Sequence, residues 1–169
     1  TGQGSVHSVA YSPDGGRIVS GGGNGKDDGS LRLWDGKSGA PLGEVISTSQ
    51  GRIESMAYSP DGERIVSGGM DGSLRLWNGK TGDSLGEAIP TGQGWGMSVA
   101  YSPDGGRIVS GGQQDGSLRL WDGKSGAPLS EAIPTSQGAV TSVAYSPNGE
   151  RIVSGGDGSL RLWDGKNGA

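Results

Sequence analysis

Apolar side chains in this 169-residue chain alternate with polar ones over short runs. Nowhere do they keep helical spacing across about eleven residues. Val6 to Tyr11 is rich in β-formers and ends at Ser12-Pro13-Asp14-Gly15. There Pro presets φ and Gly is free to take φ > 0. Arg17 to Ser20 reads as a second strand. A Gly/Asp hairpin turn follows, and Ser30 to Trp34 then alternates strictly around Leu31 and Leu33. Asp35-Gly36-Lys37-Ser38-Gly39 is the next turn, and Pro41 to Ile46 supplies a short fourth strand. The predicted unit is four antiparallel strands with no helix.

That unit recurs. The segment from Ser8 to Gly15 returns, almost unchanged, from Ser55, Ser98 and Ser142, which puts tyrosines at 11, 58, 101 and 145. Leu-Arg-Leu-Trp ends at Trp34, Trp77, Trp121 and Trp163, and Arg-Ile-Val-Ser-Gly-Gly starts at Arg17, Arg64, Arg107 and Arg151. Four copies, approximately 1–47, 48–90, 91–134 and 135–169, fill one domain. A period of about 40–45 residues with four strands per repeat is the mark of a β-propeller.

The pairs Trp34-Asp35, Trp121-Asp122 and Trp163-Asp164, with Trp77-Asn78 as a mild departure, make the chain resemble the WD40-repeat family over its whole length. The resemblance implies an all-β propeller that acts as a non-catalytic scaffold for protein–protein interaction. It also implies a hydrogen-bonded set in each blade that joins a His, a Ser or Thr, an Asp and the Trp. The matching serines are Ser20, Ser67, Ser110 and Ser154, and the aspartates are Asp28, Asp71, Asp115 and Asp157. Gln3, Gln50, Gln93 and Gln137 stand where the His would be. Gln has both a donor and an acceptor, so it either bridges the set or leaves it open at that corner.

The family builds closed rings, usually of about six to eight blades, and four blades of that shape make half a circle. An apolar face at each end would then meet water, which folded chains avoid. Thr1-Gly2-Gln3-Gly4 repeats the phrase that elsewhere follows a fourth strand, and Ala169 falls just before the place where one would start, so fifteen strands are expected. Three assemblies fit. The leading one is a homodimer, in which two chains with blades of about 45° close an eight-bladed ring on a twofold axis. The second is a piece of a longer repeat protein, in keeping with the missing initial Met. The third is a tight closed ring of four blades. A second copy is therefore the first expected partner, beside an unidentified protein.

Composition narrows the chemistry. Gly, at 37 residues, fits many tight turns, and a net charge of −4 offers no footprint for nucleic acid. The absence of Cys rules out disulfides, thiolate metal sites and Cys nucleophiles. No apolar run is long enough for a membrane helix, so a soluble chain without a membrane partner is expected, with the cytoplasm the favoured compartment. No cofactor or metal is implied. Gly36-Lys37-Ser38, Gly79-Lys80-Thr81 and Gly123-Lys124-Ser125 resemble the end of a phosphate-binding loop, but Leu31, Leu74 and Leu118 occupy the required first-Gly position and no helix follows. Gly21 to Asp28 resembles one calcium-binding nonapeptide, yet a single copy cannot stack into the coil that holds the ion. Weak binding by Asp27 and Asp28 is the alternative to a lengthened hairpin loop. His7 is the lone His, and the polar residues recur in every repeat, as turns and networks require. Arg32, Arg75, Arg119 and Arg161 alternate with apolar Leu and read as blade-surface residues with packed stems.

The repeats differ from one another in two places. One is the lead-in to the first strand: Ser5 and His7, Arg52 and Glu54, Trp95 and Met97, Ala139 and Thr141. The other is the second hairpin, with Asn24 and Lys26 in the first blade, Met70 in the second, Gln113 and Gln114 in the third, and nothing before Asp157 in the fourth. In the geometry the resemblance implies, both open on one rim, and loops on a rigid frame are where binding is found. Trp95 with Met97 is the best apolar anchor for a partner; otherwise Trp95 packs on a neighbouring blade. A multivalent glycan- or small-ligand-binding propeller is the second function class. It would want an exposed aromatic in every blade, and only the third has an extra Trp. An engineered or excised piece with no role beyond assembly is the third.

Overall fold

In the computed structural model, residues 3–25 and 28–169 are described, and they form fifteen strands in four antiparallel sheets. The first sheet, blade one, runs β1 (Val6–Tyr11), β2 (Arg17–Gly22), β3 (Ser30–Asp35) and β4 (Ile46–Ser47) in spatial order. Blade two repeats it with β5 (Ile53–Tyr58), β6 (Arg64–Gly69), β7 (Ser73–Asn78) and β8 (Ile89–Pro90). Blade three has β9 (Met97–Tyr101), β10 (Arg107–Gly112), β11 (Ser117–Asp122) and β12 (Ile133–Pro134). Blade four has three strands, β13 (Ser142–Tyr145), β14 (Arg151–Gly156) and β15 (Ser159–Asp164).

Side chains close the turns. Ser12 Oγ donates to Asp14 at 2.6 Å, Gly16 N donates to the same carboxylate at 2.9 Å, and Gly15 takes φ +69°. The arrangement recurs at Ser59-Asp61 and Ser102-Asp104. After the third strand, Asp35 accepts from Ser38 N and Ser38 Oγ, both at 2.7 Å. Hydroxyl and amide donors hold Asp14, Asp61 and Asp104 below the usual aspartate range, and backbone amides do most of the same at Asp35, Asp122 and Asp164.

Two boundaries differ from the pattern-based expectation. The second strand continues past Ser20 through Gly21 and Gly22 instead of turning there. A Cβ on Gly21 would strike Met56 and Ile53 of the next blade, and one on Gly22 would strike the carbonyl of Ser5. These glycines allow close packing inside a strand. The fourth strand is shorter than Pro41 to Ile46. Pro41 makes only an isolated bridge to Trp34, and pairing resumes at Ile46 opposite Leu31.

The core lies between blades. Val19, Leu31 and Leu33 of blade one meet Ile53, Met56, Tyr58, Ile65 and Trp77 of blade two. Equivalent residues fill the next two junctions. Each fully buried aliphatic side chain of this kind contributes about 1.5–3 kcal/mol. Inner strands stack in the order β1, β5, β9, β13. A serine hydroxyl ties each pair: Met56 N donates to Ser8 Oγ at 2.9 Å, Val99 N to Ser55 Oγ at 3.2 Å and Val143 N to Ser98 Oγ at 3.1 Å. Among the described residues the strands of blades one and four are not packed together, so these sheets form an open arc and not a tight four-bladed ring. Leu31 and Leu33 are 0% and 6% exposed, whereas their counterparts Leu160 and Leu162 on blade four are 77% and 71% exposed.

Candidate functional site

Antiparallel pairing brings the variable positions to one rim. Val6 at the start of β1 faces Gly22 at the end of β2, so strand lead-ins and second hairpins share that edge in every blade. Loops of adjacent blades also join there, with Arg52 N donating to Gly25 O at 2.7 Å.

Blade by blade the rim differs in character. In blade one the exposed Ser5 donates its backbone N–H to Asn24 Oδ1 at 3.0 Å. His7, bulged out of the β1 register, places Nε2 3.1 Å from Gly23 O. Lys26, and the Asp27 considered for calcium, lie outside the described residues. In blade two Arg52 and Glu54 form an ion pair at 2.6 Å, and Met70 beside them is half-buried. In blade four Thr141 is exposed and donates to Gly155 O at 3.2 Å.

Blade three carries the apolar feature. Trp95 is 51% exposed and sits between Gly94 and Gly96, both in the left-handed region (φ 74° and 73°). The backbone there thus lifts the indole out of the blade. The backbone N–H of Trp95 donates to Gln114 Oε1 at 3.4 Å, and Gln113 N donates to Gly96 O at 3.0 Å. Met97 is not part of this surface. It is 1% exposed, packs over Gly68 of blade two, and has Sδ 3.3 Å from Thr91 Oγ1. The strand starts at Met97 without the bulge of β1 and β5, so the side chain turns into the junction.

Beneath the rim runs a buried polar chain. In blade two Trp77 Nε1 donates to Ser67 Oγ at 2.8 Å, and Ser67 Oγ donates to Gln50 Oε1. Gln50 Nε2 donates to Ser73 O at 3.0 Å and to Ser73 Oγ at 3.1 Å, and Ser73 Oγ donates to Asp71 at 2.8 Å. Blade three repeats this through Trp121, Ser110, Gln93, Ser117 and Asp115. Blade one joins Trp34, Ser20 and Gln3, but Asp28 caps its own hairpin instead, accepting from Asn24 N and Gly25 N. Blade four joins Trp163, Ser154, Gln137 and Ser159, whose hydroxyl turns to Gly156 O, leaving Asp157 out. Ser73 and Ser117, which carry the link to Asp, went unrecognised in the sequence although the first residue of Ser-Leu-Arg-Leu-Trp recurs in all four repeats.

Among the described residues no group of three or more His, Cys, Asp or Glu side chains converges as a metal site. Burial raises Tyr58 and Tyr145 to about 12 and also pushes Tyr101 up, so all three stay as neutral phenols. Arg32 and Arg75 lie over Trp34 and Trp77, 4.9 and 5.9 Å from the ring centroids. Lys80, from the phosphate-loop-like turn, pairs with Glu63 at 2.8 Å. A cleft of about 370 Å³ opens between blades one and two on the opposite rim, among Asp14, Arg17, Asp61 and Lys80. No helix of the described residues is long and apolar enough to cross a membrane.

The family model described as WD domain, G-beta repeat matches residues 1–35, 40–78, 92–122 and 129–164. The matches 40–78 and 129–164 take in the outer strand of one blade and end in the third strand of the next, so there the sequence repeat straddles two sheets, whereas 92–122 starts just after β8 and holds strands of blade three alone. A search of curated proteins returned no match.

Proposed function

As the chain belongs to the WD40 (WD domain, G-beta repeat) family, we propose that it is a non-catalytic scaffold for protein–protein interaction, assembled as a homodimeric propeller and read by its partner at the rim around Trp95. The observation that carries this reading is Trp95 itself. Among the described residues the other strongly exposed large apolar side chains lie on the two end faces or recur blade by blade at the perimeter, as Leu42, Leu85 and Leu129 do. Trp95 alone stands on the rim, where the other repeats have Ser5, Arg52 and Ala139. An exposed Trp on a polar rim is a common kind of binding hot spot. Gln113 and Gln114 beside it, and the Arg52–Glu54 pair on the next blade, supply a polar surround. The reading needs no cofactor, nucleic acid or membrane, in keeping with a net charge of −4.

The test is affinity capture with the immobilised chain beside Trp95→Ala, both checked for the same circular dichroism, together with a glycan array. Specific proteins retained by the native chain and lost with Trp95→Ala are the expected result. An identical retained set from both proteins would overturn the rim reading, and array binding without protein capture would favour a glycan-binding propeller.

A further inference from the structure

The two ends of the arc carry the two halves of a junction that the chain already builds three times. At each internal junction a glycine of the second strand receives side chains from the next blade. A Cβ on Gly21 would meet Ile53 and Met56, one on Gly68 would meet Met97 and Val99, and one on Gly111 would meet Val140 and Val143. The fourth such glycine, Gly155, has no side chain of another blade over it. Val6 and Val9, which stand where Ile53 and Met56 do, are 45% and 65% exposed.

The hydrogen bonding has the same polarity. Ser8, Ser55 and Ser98 each accept a backbone N–H from the next inner strand. Ser142 is the fourth serine of the series and is exposed, and Val9 is the residue that aligns with the donors Met56, Val99 and Val143. The end of blade four is therefore a receiving face and the end of blade one an inserting face. They differ from each other, so neither suits contact with its own kind.

We propose that blade four of one chain takes blade one of a second copy head to tail, with Val6 and Val9 seated over Gly155 against Leu160 and Leu162, and with Val9 N donating to Ser142 Oγ. This rests on the two-copy reading above and specifies its joint. A head-to-tail contact either closes into a ring or runs on as a filament. Four blades of about 45° turn the chain through half a circle, so a second copy presents both complementary faces at once.

The test uses Leu162→Glu, which spoils the receiving face, and Val9→Lys, which spoils the inserting face. Both positions are exposed in the single chain, so the fold is kept, and circular dichroism checks this; Gly155→Leu is a second receiving-face variant. Light scattering should give the native chain twice the 17.0 kDa of one copy, and each variant alone 17.0 kDa. An equimolar mixture of Leu162→Glu and Val9→Lys should return to twice that mass, because one intact face of each kind remains. A Leu162→Glu protein that still dimerises alone, or a mixture that stays monomeric while the native chain pairs, would overturn the head-to-tail joint and leave two-copy assembly standing. A native chain that stays at 17.0 kDa at every concentration would overturn the two-copy reading itself, and the joint with it. Open polymers would support the joint and overturn ring closure.

Discussion

Gln50 Oε1 accepts from Ser67 Oγ while Gln50 Nε2 reaches Ser73, so one amide side chain joins the second and third strands of blade two. The residue is 0% exposed, as is Ser67, and both ends of the amide are satisfied. Such a bridge is worth little more than its hydrogen bonds while complete, but losing it strands buried partners.

Gln50→Ala should therefore lower stability by about 1–3 kcal/mol, because Ser67 and Ser73 lose partners in a dry site. Urea unfolding monitored by tryptophan emission measures it. Gln50→His, which keeps a donor and an acceptor, should recover part of the loss; equal loss in both variants would mean that packing rather than bonding matters there.

Close approach at the strand glycines gives a second expectation. Gly111→Val must displace Val140 and Val143, at a cost of about 1–3 kcal/mol or more for overpacking. Gly155→Ala meets only Leu160 Cδ2 and Ser142 Cβ, at 3.4 and 4.0 Å, so the single chain should tolerate it. Thermal melts of the two variants in dilute solution should differ clearly, with Gly111→Val the lower.

Acid should loosen the turns. Asp14, Asp61, Asp104, Asp35, Asp122 and Asp164 all have folded-state values below the ordinary 3.8. A depressed carboxylate stabilises the fold above that value, and the contribution disappears as pH falls through the folded value. The melting temperature should be flat near neutrality and fall below about pH 4. Asp61→Asn should have a shallower decline than the native chain.

Base acts through the tyrosines with the opposite sign. Tyr58 and Tyr145 are raised from 10.0 to about 12 by burial, so their neutral form belongs to the fold. That contribution is complete below pH 10 and disappears as pH rises towards 12. Absorbance titration should show Tyr58 and Tyr145 ionising well above 10.0, and Tyr58→Phe should soften the alkaline loss of structure.

Much of this architecture was legible in the residue order because each repeat prints the same local rules. Alternation around Leu31 and Leu33 fixes which side packs, and Ser12-Pro13-Asp14-Gly15 fixes where the chain turns. What could not be read there depends on neighbours distant in sequence. Gly21 looks like turn material until Met56 is seen against it. Met97 looks like a companion to Trp95 until the missing bulge points it inward. Asp28 and Asp157 match the positions of Asp71 and Asp115 in sequence, yet hairpins of unequal length carry them away from Ser30 and Ser159. Local pattern therefore located the frame well, and the rim, where loop length decides direction, far less so.

Because every junction uses the same pair of dissimilar faces, inserting or deleting a whole repeat leaves both termini of the stack with unchanged chemistry. The number of sheets can then drift through duplication without any new surface having to evolve, and only the wedge angle between sheets limits which totals make a full turn.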